Sequence, residues 1–194
     1  MEQVRSFVAI ELTDQIREKL GETQAWLKTE GIADQVRWVK PEGIHLTLKF
    51  LGDVPVGRVN AIAVAITRAC EGIRPFSLGF GDLGCFPSVS RPNVVWIGVQ
   101  GDTKELAHLQ SRVEDRLAIL GFPREQRKYT PHLTLGRVSR HVQRRERGRL
   151  GTLIQTQDIE PLGEMEVHEV SLMKSVLSPA GAKYSQLAGV KLEL

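Results

Sequence analysis

Ile44-His45-Leu46-Thr47-Leu48-Lys49-Phe50 and Pro131-His132-Leu133-Thr134-Leu135-Gly136-Arg137 carry the same pattern. In each, polar and apolar residues alternate with the period of two that marks a half-buried strand. Alternate side chains of a strand point to the same side. His45, Thr47 and Lys49 are therefore expected on one face, with Leu46, Leu48 and Phe50 on the other. His132 and Thr134 repeat the arrangement, backed by Leu133 and Leu135. One strand histidine beside a threonine serves an ordinary hydrogen bond as readily as catalysis, and so short a pattern often matches by chance. Two copies, each written His-Leu-Thr-Leu and each in strand context, point to paired chemistry.

The segments around them alternate strands and helices. Val4 to Ile10 is β-branched and apolar enough for a strand. Thr13 or Asp14 caps a predicted helix to about Lys28, with Ile16, Leu20, Thr23 and Leu27 on its apolar side. Val36 to Val39 reads as a short strand, and Pro41-Glu42-Gly43 turns the chain into the first histidine strand. A second helix is expected over about 56–71, burying Val59, Ile62, Ala63, Ile66 and Ala69. Phe76 to Phe86 reads as a long or bulged strand interrupted by glycines, and Val94 to Val99 as another strand. Leu106, Leu109, Val113, Leu117 and Leu120 give a third helix its apolar face, ended by Gly121. The arginine-dense Arg140 to Leu150 segment is expected to form a short helix with a solvated or phosphate-backbone-contacting surface. Thr152 to Pro161, Glu164 to Leu172 and Lys183 to Leu192 read as further strands. The order strand, helix, histidine strand, helix occurs twice, as in a loose internal duplication. From periodicity alone the fold class is α+β.

The 194 residues suit one domain with a substantial core, and 41% apolar with 25% charged residues fit a globular protein. A net charge of +3 permits contact with phosphate without demanding nucleic acid. Cys70 and Cys85 have no metal-ligand spacing and read as buried thiols. No secretory leader pattern and no stretch of membrane-spanning length is visible, so no membrane association and a cytoplasmic location are expected. There is no Walker A loop, no Gly-x-Gly-x-x-Gly fingerprint and no His-Glu-x-x-His helix. No Cys, Asp or third His stands near His45 or His132 in sequence to complete a metal site.

The paired motifs, with Arg5-Ser6-Phe7-Val8-Ala9-Ile10, Thr47 to Gly52 and Tyr129 to Arg137, resemble the signature of the two-histidine phosphoesterases. The closest likeness is to the bacterial and archaeal RNA 2',3'-cyclic phosphodiesterases, once named 2'-5' RNA ligases, and it covers nearly the whole chain. That resemblance implies a bilobal α+β fold of antiparallel sheets with flanking helices and approximate two-fold symmetry about a central cleft. It implies one two-lobed domain over residues 1–194, with no cofactor and no obligate protein partner. It further implies metal-independent opening of a terminal cyclic phosphate to a 2'-phosphate, and in reverse the 2'-5' joining of RNA such as tRNA halves. His45 would be the proton donor and His132 the acceptor.

The chemistry asks for these residue types. Attacking water must lose a proton and the leaving ribose oxygen must gain one. Imidazole, with an ordinary pKa near 6.5, can do either near neutral pH. Threonine hydroxyls can hold the non-bridging oxygens as charge builds on them. Lys49, Arg127 and Arg137 are candidate substrate-binding cations, although Arg137, five residues after His132, falls out of phase with it in a regular strand. His108 falls on the polar side of its helix and reads as a surface residue, and His168 lacks a threonine partner and reads as a poor third catalytic candidate. The alternatives are a phosphodiesterase for small cyclic nucleotide or ADP-ribose phosphates, and a non-catalytic RNA-binding module.

Overall fold

The computed structural model describes residues 2–178 and 181–193. The strands are β1 (Gln3–Ile10), β2 (Val36–Trp38), β3 (Leu46–Pro55), β4 (Phe76–Phe86), β5 (Val94–Gly101), β6 (His132–Val138), β7 (Gly163–Val167), β8 (Glu169–Ser178) and β9 (Gly181–Lys191). The α-helices are α1 (Asp14–Leu27), α2 (Val59–Cys70), α3 (Thr103–Ile119) and α4 (Arg144–Thr156). The strands form two sheets, ordered β3-β1-β8-β9 and β2-β6-β5-β4-β7. Every pairing between neighbours is antiparallel.

Two successive units share one plan. β1 and β5 open them, α1 and α3 follow, then the histidine strands β3 and β6, then α2 and α4. Each histidine strand pairs with the strand that opened its unit. The strand after α2, β4, joins the second sheet beside β5, whereas β8 returns to the first sheet beside β1. The helices cross as well: α3 packs on α2 and β3, and α1 on β7 and the turn before β3. Each half of the sequence thus completes the other half's lobe, and one apolar core runs beneath both sheets.

Local chemistry explains most boundaries. The Thr13 hydroxyl accepts the Ile16 N–H and starts α1. Ile16, Leu20 and Leu27 are buried as expected, but the fourth buried position is Gln24, not Thr23. Its amide donates to the carbonyls of Val39 (2.7 Å) and Leu135 (2.9 Å), pinning α1 between the two histidine segments. Helix α2 buries Ile62, Ala65, Ile66, Ala69 and Cys70, so its stripe is rotated from the expected one. Cys70 and Cys85 are free thiols.

Two expected strands are corrected. Thr152 to Thr156 is the last turn of α4, not the start of a strand, and 157–162 is irregular. Leu150, Gly151 and Ile154 there follow a helical period. The run Glu164 to Leu172 divides at His168 into β7 and β8, which belong to different sheets. Alternation continues across the break, so periodicity alone hides it. Among the described residues no helix is long and apolar enough to cross a membrane.

Candidate active site

His45 lies immediately before β3, and His132 opens β6. Both line one cleft of about 420 Å³ between the lobes, with Thr47, Thr134, Arg5, Phe7, Phe50, Arg137 and Tyr184 among its walls. Among the described residues, none that lines the cleft is acidic.

A β-bulge in each histidine strand decides which side chains reach this space. In β3, Val8 pairs with Lys49 and Ala9 with Thr47, so Leu48 is the extra residue. Beyond it the pleat is inverted. Phe50 turns to the cleft and stays 70% exposed, whereas Lys49 turns inward and is 6% exposed. In β6, Val95 pairs with Gly136 and Trp96 with Thr134, leaving Leu135 extra. Here the inversion brings Arg137 onto the His132 face, removing the phase mismatch of a regular strand. Phe50 and Arg137 thus occupy the same position relative to their histidines. The intervening Gly136 leaves room for β2, since a Cβ there would stand 2.5 Å from Val36 Cγ1.

Of the three expected cations, only Arg137 lines the cleft. Lys49 is a correction: its Nζ bonds to Glu114 Oε2 at 2.5 Å and the Pro123 carbonyl at 2.8 Å, inside the first lobe. Arg127 is exposed on the loop before β6 and is not among the residues that line the cleft. His108 is exposed on α3, and His168 is exposed beside Glu166 at 3.2 Å.

Each imidazole is held by aromatic rings and a backbone carbonyl two residues earlier. His45 stacks on Phe7 with centroids 4.4 Å apart, and Tyr184 meets it edge-on at 5.0 Å. Burial brings its pKa down to about 4, opposed by a backbone hydrogen bond to Gly43 and reinforced by the Arg17 charge. His132 meets the Phe86 ring edge-on at 4.9 Å. Its pKa is lowered by burial first and by Arg137, against a raising contribution from the Thr130 carbonyl. A carbonyl can only accept, so the 2.8 Å contact from Nδ1 to Thr130 O fixes the proton on Nδ1 in the neutral ring. Nε2 then carries a lone pair, ready to take a proton.

Phe7, Tyr184 and Arg5 complete the cleft from outside the doubled motif, and Phe50 joins them from the face opposite to its expected one. Arg5 comes from β1, the strand paired with β3, and Tyr184 from β9 at the far edge of the same sheet, from which its ring reaches His45. Burial raises the Tyr184 pKa, while Arg137 and Arg5, one from each lobe, act the other way. Among the described residues no group of three or more His, Cys, Asp or Glu side chains is placed to hold a metal ion.

The family model described as the 2'-5' RNA ligase superfamily matches residues 14–178. The chain belongs to that superfamily. An RNA 2',3'-cyclic phosphodiesterase of Methanothermobacter thermautotrophicus is 37% identical over 191 residues, covering 98% of this chain and 100% of the relative. One from Archaeoglobus fulgidus is 35% identical over 184 residues, covering 95% and 98%. The crystal structure of E. coli LigT complexed with 3'-AMP superposes with a TM-score of 0.77 at 27% identity, over 100% of both chains. In this 2'-5' RNA ligase superfamily member, mixed α/β architecture, antiparallel sheets and flanking helices agree with that structure.

Proposed function

We propose that this chain hydrolyses the 2',3'-cyclic phosphate at the end of an RNA strand, without a metal, leaving a 2'-phosphate. What carries the reading is the meeting of two His-x-Thr faces, one from each lobe, in a single cleft with Arg5 and Arg137 and, among the described residues, no carboxylate. The relatives named above carry the same activity in their names. Water attacks phosphorus and passes a proton to His132 Nε2. The bond from phosphorus to the 3' oxygen breaks, and His45 protonates that oxygen. Thr47 and Thr134 donate to the non-bridging oxygens, and Arg137 and Arg5 add positive charge. With a pKa of about 4 the unliganded His45 is neutral at pH 7; the anionic phosphate between the rings favours the imidazolium it needs as donor. Joining 2'-5' ends, as of tRNA halves, runs the same steps backward with the roles exchanged.

The chain acts as one two-lobed domain, because strands and helices exchanged between its halves leave neither half with a complete sheet and cover. We assign it a cytoplasmic location, in keeping with an RNA substrate. A second reading, turnover of small cyclic nucleotide phosphates, is favoured by the cleft volume of about 420 Å³, which suits a nucleotide-sized ligand. The test is turnover of RNA ending in a cyclic phosphate, with and without EDTA, beside a mononucleoside 2',3'-cyclic phosphate. Loss of all activity on demetallation, restored by one divalent ion, contradicts the metal-free mechanism. Efficient turnover of the mononucleotide with none of the RNA selects the second reading.

A further inference from the structure

Resting on that function, we propose that the groove between residues 87–93 and the start of α4 is a second RNA site. It would hold backbone phosphates of the strand whose cyclic-phosphate end lies in the cleft. The groove measures about 470 Å³ and is lined by Ser90, Arg91, Arg144, Arg145 and Gly148. The whole chain has a net charge of only +3, yet Arg137 to Arg149 holds six arginines against one glutamate. That glutamate, Glu146, accepts the Gln143 N–H at 3.0 Å at the start of α4. Among the described residues Arg91, Arg144 and Arg145 make no ion pair with a carboxylate. Guanidinium groups gathered without a counter-charge repel one another, and an anionic ligand relieves this. Their planar forks match phosphate oxygens two at a time.

The groove is built rather than incidental. Arg147 bonds through Nε to the Val142 carbonyl and through its terminal nitrogens to Pro92 O, Asn93 Oδ1 and Ser139 O, at 2.8–3.0 Å. It clamps the 87–93 loop to the helix. Gly151 lets the loop seat fully, since a Cβ there would stand 1.9 Å from the Val89 carbonyl oxygen. Both walls also lead out of the catalytic cleft. The loop begins at Phe86, whose ring touches His132, and α4 follows the strand that carries His132 and Arg137. Arg91 is five residues from Phe86, a Cα separation of at most about 17 Å. The proposed path takes an RNA strand out of the cleft past Arg137 and into this groove.

The test compares wild type with an Arg144→Glu/Arg145→Glu variant, both checked by circular dichroism. Binding of a short single-stranded RNA ending in a 3'-phosphate is read by fluorescence anisotropy against salt. Cleavage is read on RNA with a cyclic end and on a mononucleoside cyclic phosphate. We expect RNA affinity and kcat/KM for RNA to fall about tenfold or more, and the salt slope to become shallower by about 0.7 per lost contact. Turnover of the mononucleotide should be unchanged, and Arg144→Lys/Arg145→Lys should recover the slope. Unaltered RNA affinity and slope in the charge-reversed protein overturn the proposal. So does an equal loss on both cyclic substrates, or displacement of RNA by polyglutamate as effectively as by unlabelled RNA. A wild-type protein that cleaves neither substrate overturns the proposed function, and RNA affinity then decides the groove alone.

Discussion

Tyr129 donates its phenolic hydrogen to the Thr47 carbonyl at 3.2 Å, so the segment leading into His132 is tied to the strand that carries the other motif. The side chain is half-buried, and desolvation raises its pKa well above the ordinary tyrosine value. It therefore serves as a neutral hydrogen-bond donor at any working pH. The bond joins the two lobes beside the reacting groups, where small displacements are costly to catalysis.

Tyr129→Phe keeps the ring and removes only the bond. Expected are a stability loss of about 1 kcal/mol and a fall in kcat with little change in KM. Urea unfolding and steady-state kinetics on cyclic-phosphate RNA check this. An unchanged kcat would show that the lobes hold their spacing without Tyr129.

Lys49 tests the bulge. Because its ammonium is paired with Glu114 inside the first lobe, Lys49→Met should cost about 3–5 kcal/mol of stability by leaving a buried carboxylate unpaired. Lys49→Met/Glu114→Leu should recover much of that. Turnover per folded molecule should stay near wild type in both. A selective rise in KM with normal stability would return Lys49 to the cleft.

How much of this was legible follows from what each feature depends on. The histidines and threonines were legible because alternation fixes a strand's face over a few residues. Arg137 and Lys49 lie beyond the bulges at Leu135 and Leu48, where alternation inverts. The bulges exist only through pairing with β5 and β1, so no local pattern marks them. Phe50 was placed on the wrong face for the same reason. The α4 extension past Leu150 was masked by β-branched and threonine residues that suit either structure, with burial against β4 deciding. Division of the run at His168 depends on two sheets competing for one alternating segment.

Thr47→Ala and Thr134→Ala should each slow the chemical step by roughly 10²- to 10³-fold, about 2–4 kcal/mol, with weaker effects on substrate affinity. Single-turnover rates alongside equilibrium binding separate the two. Wild-type chemistry in both variants would make these hydroxyls packing groups.

Buried neutral histidine also fixes the sign of a pH effect. The folded protein holds His45 at about 4, against an ordinary 6.5, so below pH 6.5 the unfolded chain binds a proton that the native state refuses. This contribution to stability is complete above about pH 6.5 and is lost as pH falls toward 4, by an amount of the order of 3 kcal/mol. His45→Asn should flatten the fall in urea midpoint over that window; an identical slope in wild type and variant would contradict the burial. For the same reason the bell in kcat/KM should lie below the usual imidazole range, and the bell in kcat should shift upward when bound phosphate favours the imidazolium.

The most direct test of the paired mechanism is the cleavage rate of RNA ending in a 2',3'-cyclic phosphate for His45→Ala, His132→Ala, His108→Ala and His168→Ala, with the position of the product phosphate determined. The two cleft variants should fold and lose roughly 10²- to 10⁴-fold in rate, as expected when a proton-transfer group is removed. Their double variant should lose less than the product of the two effects. The His108 and His168 variants should retain substantial activity, and the wild-type product should carry a 2'-phosphate. A folded His45→Ala or His132→Ala protein that cleaves at near the wild-type rate would contradict the two-histidine mechanism.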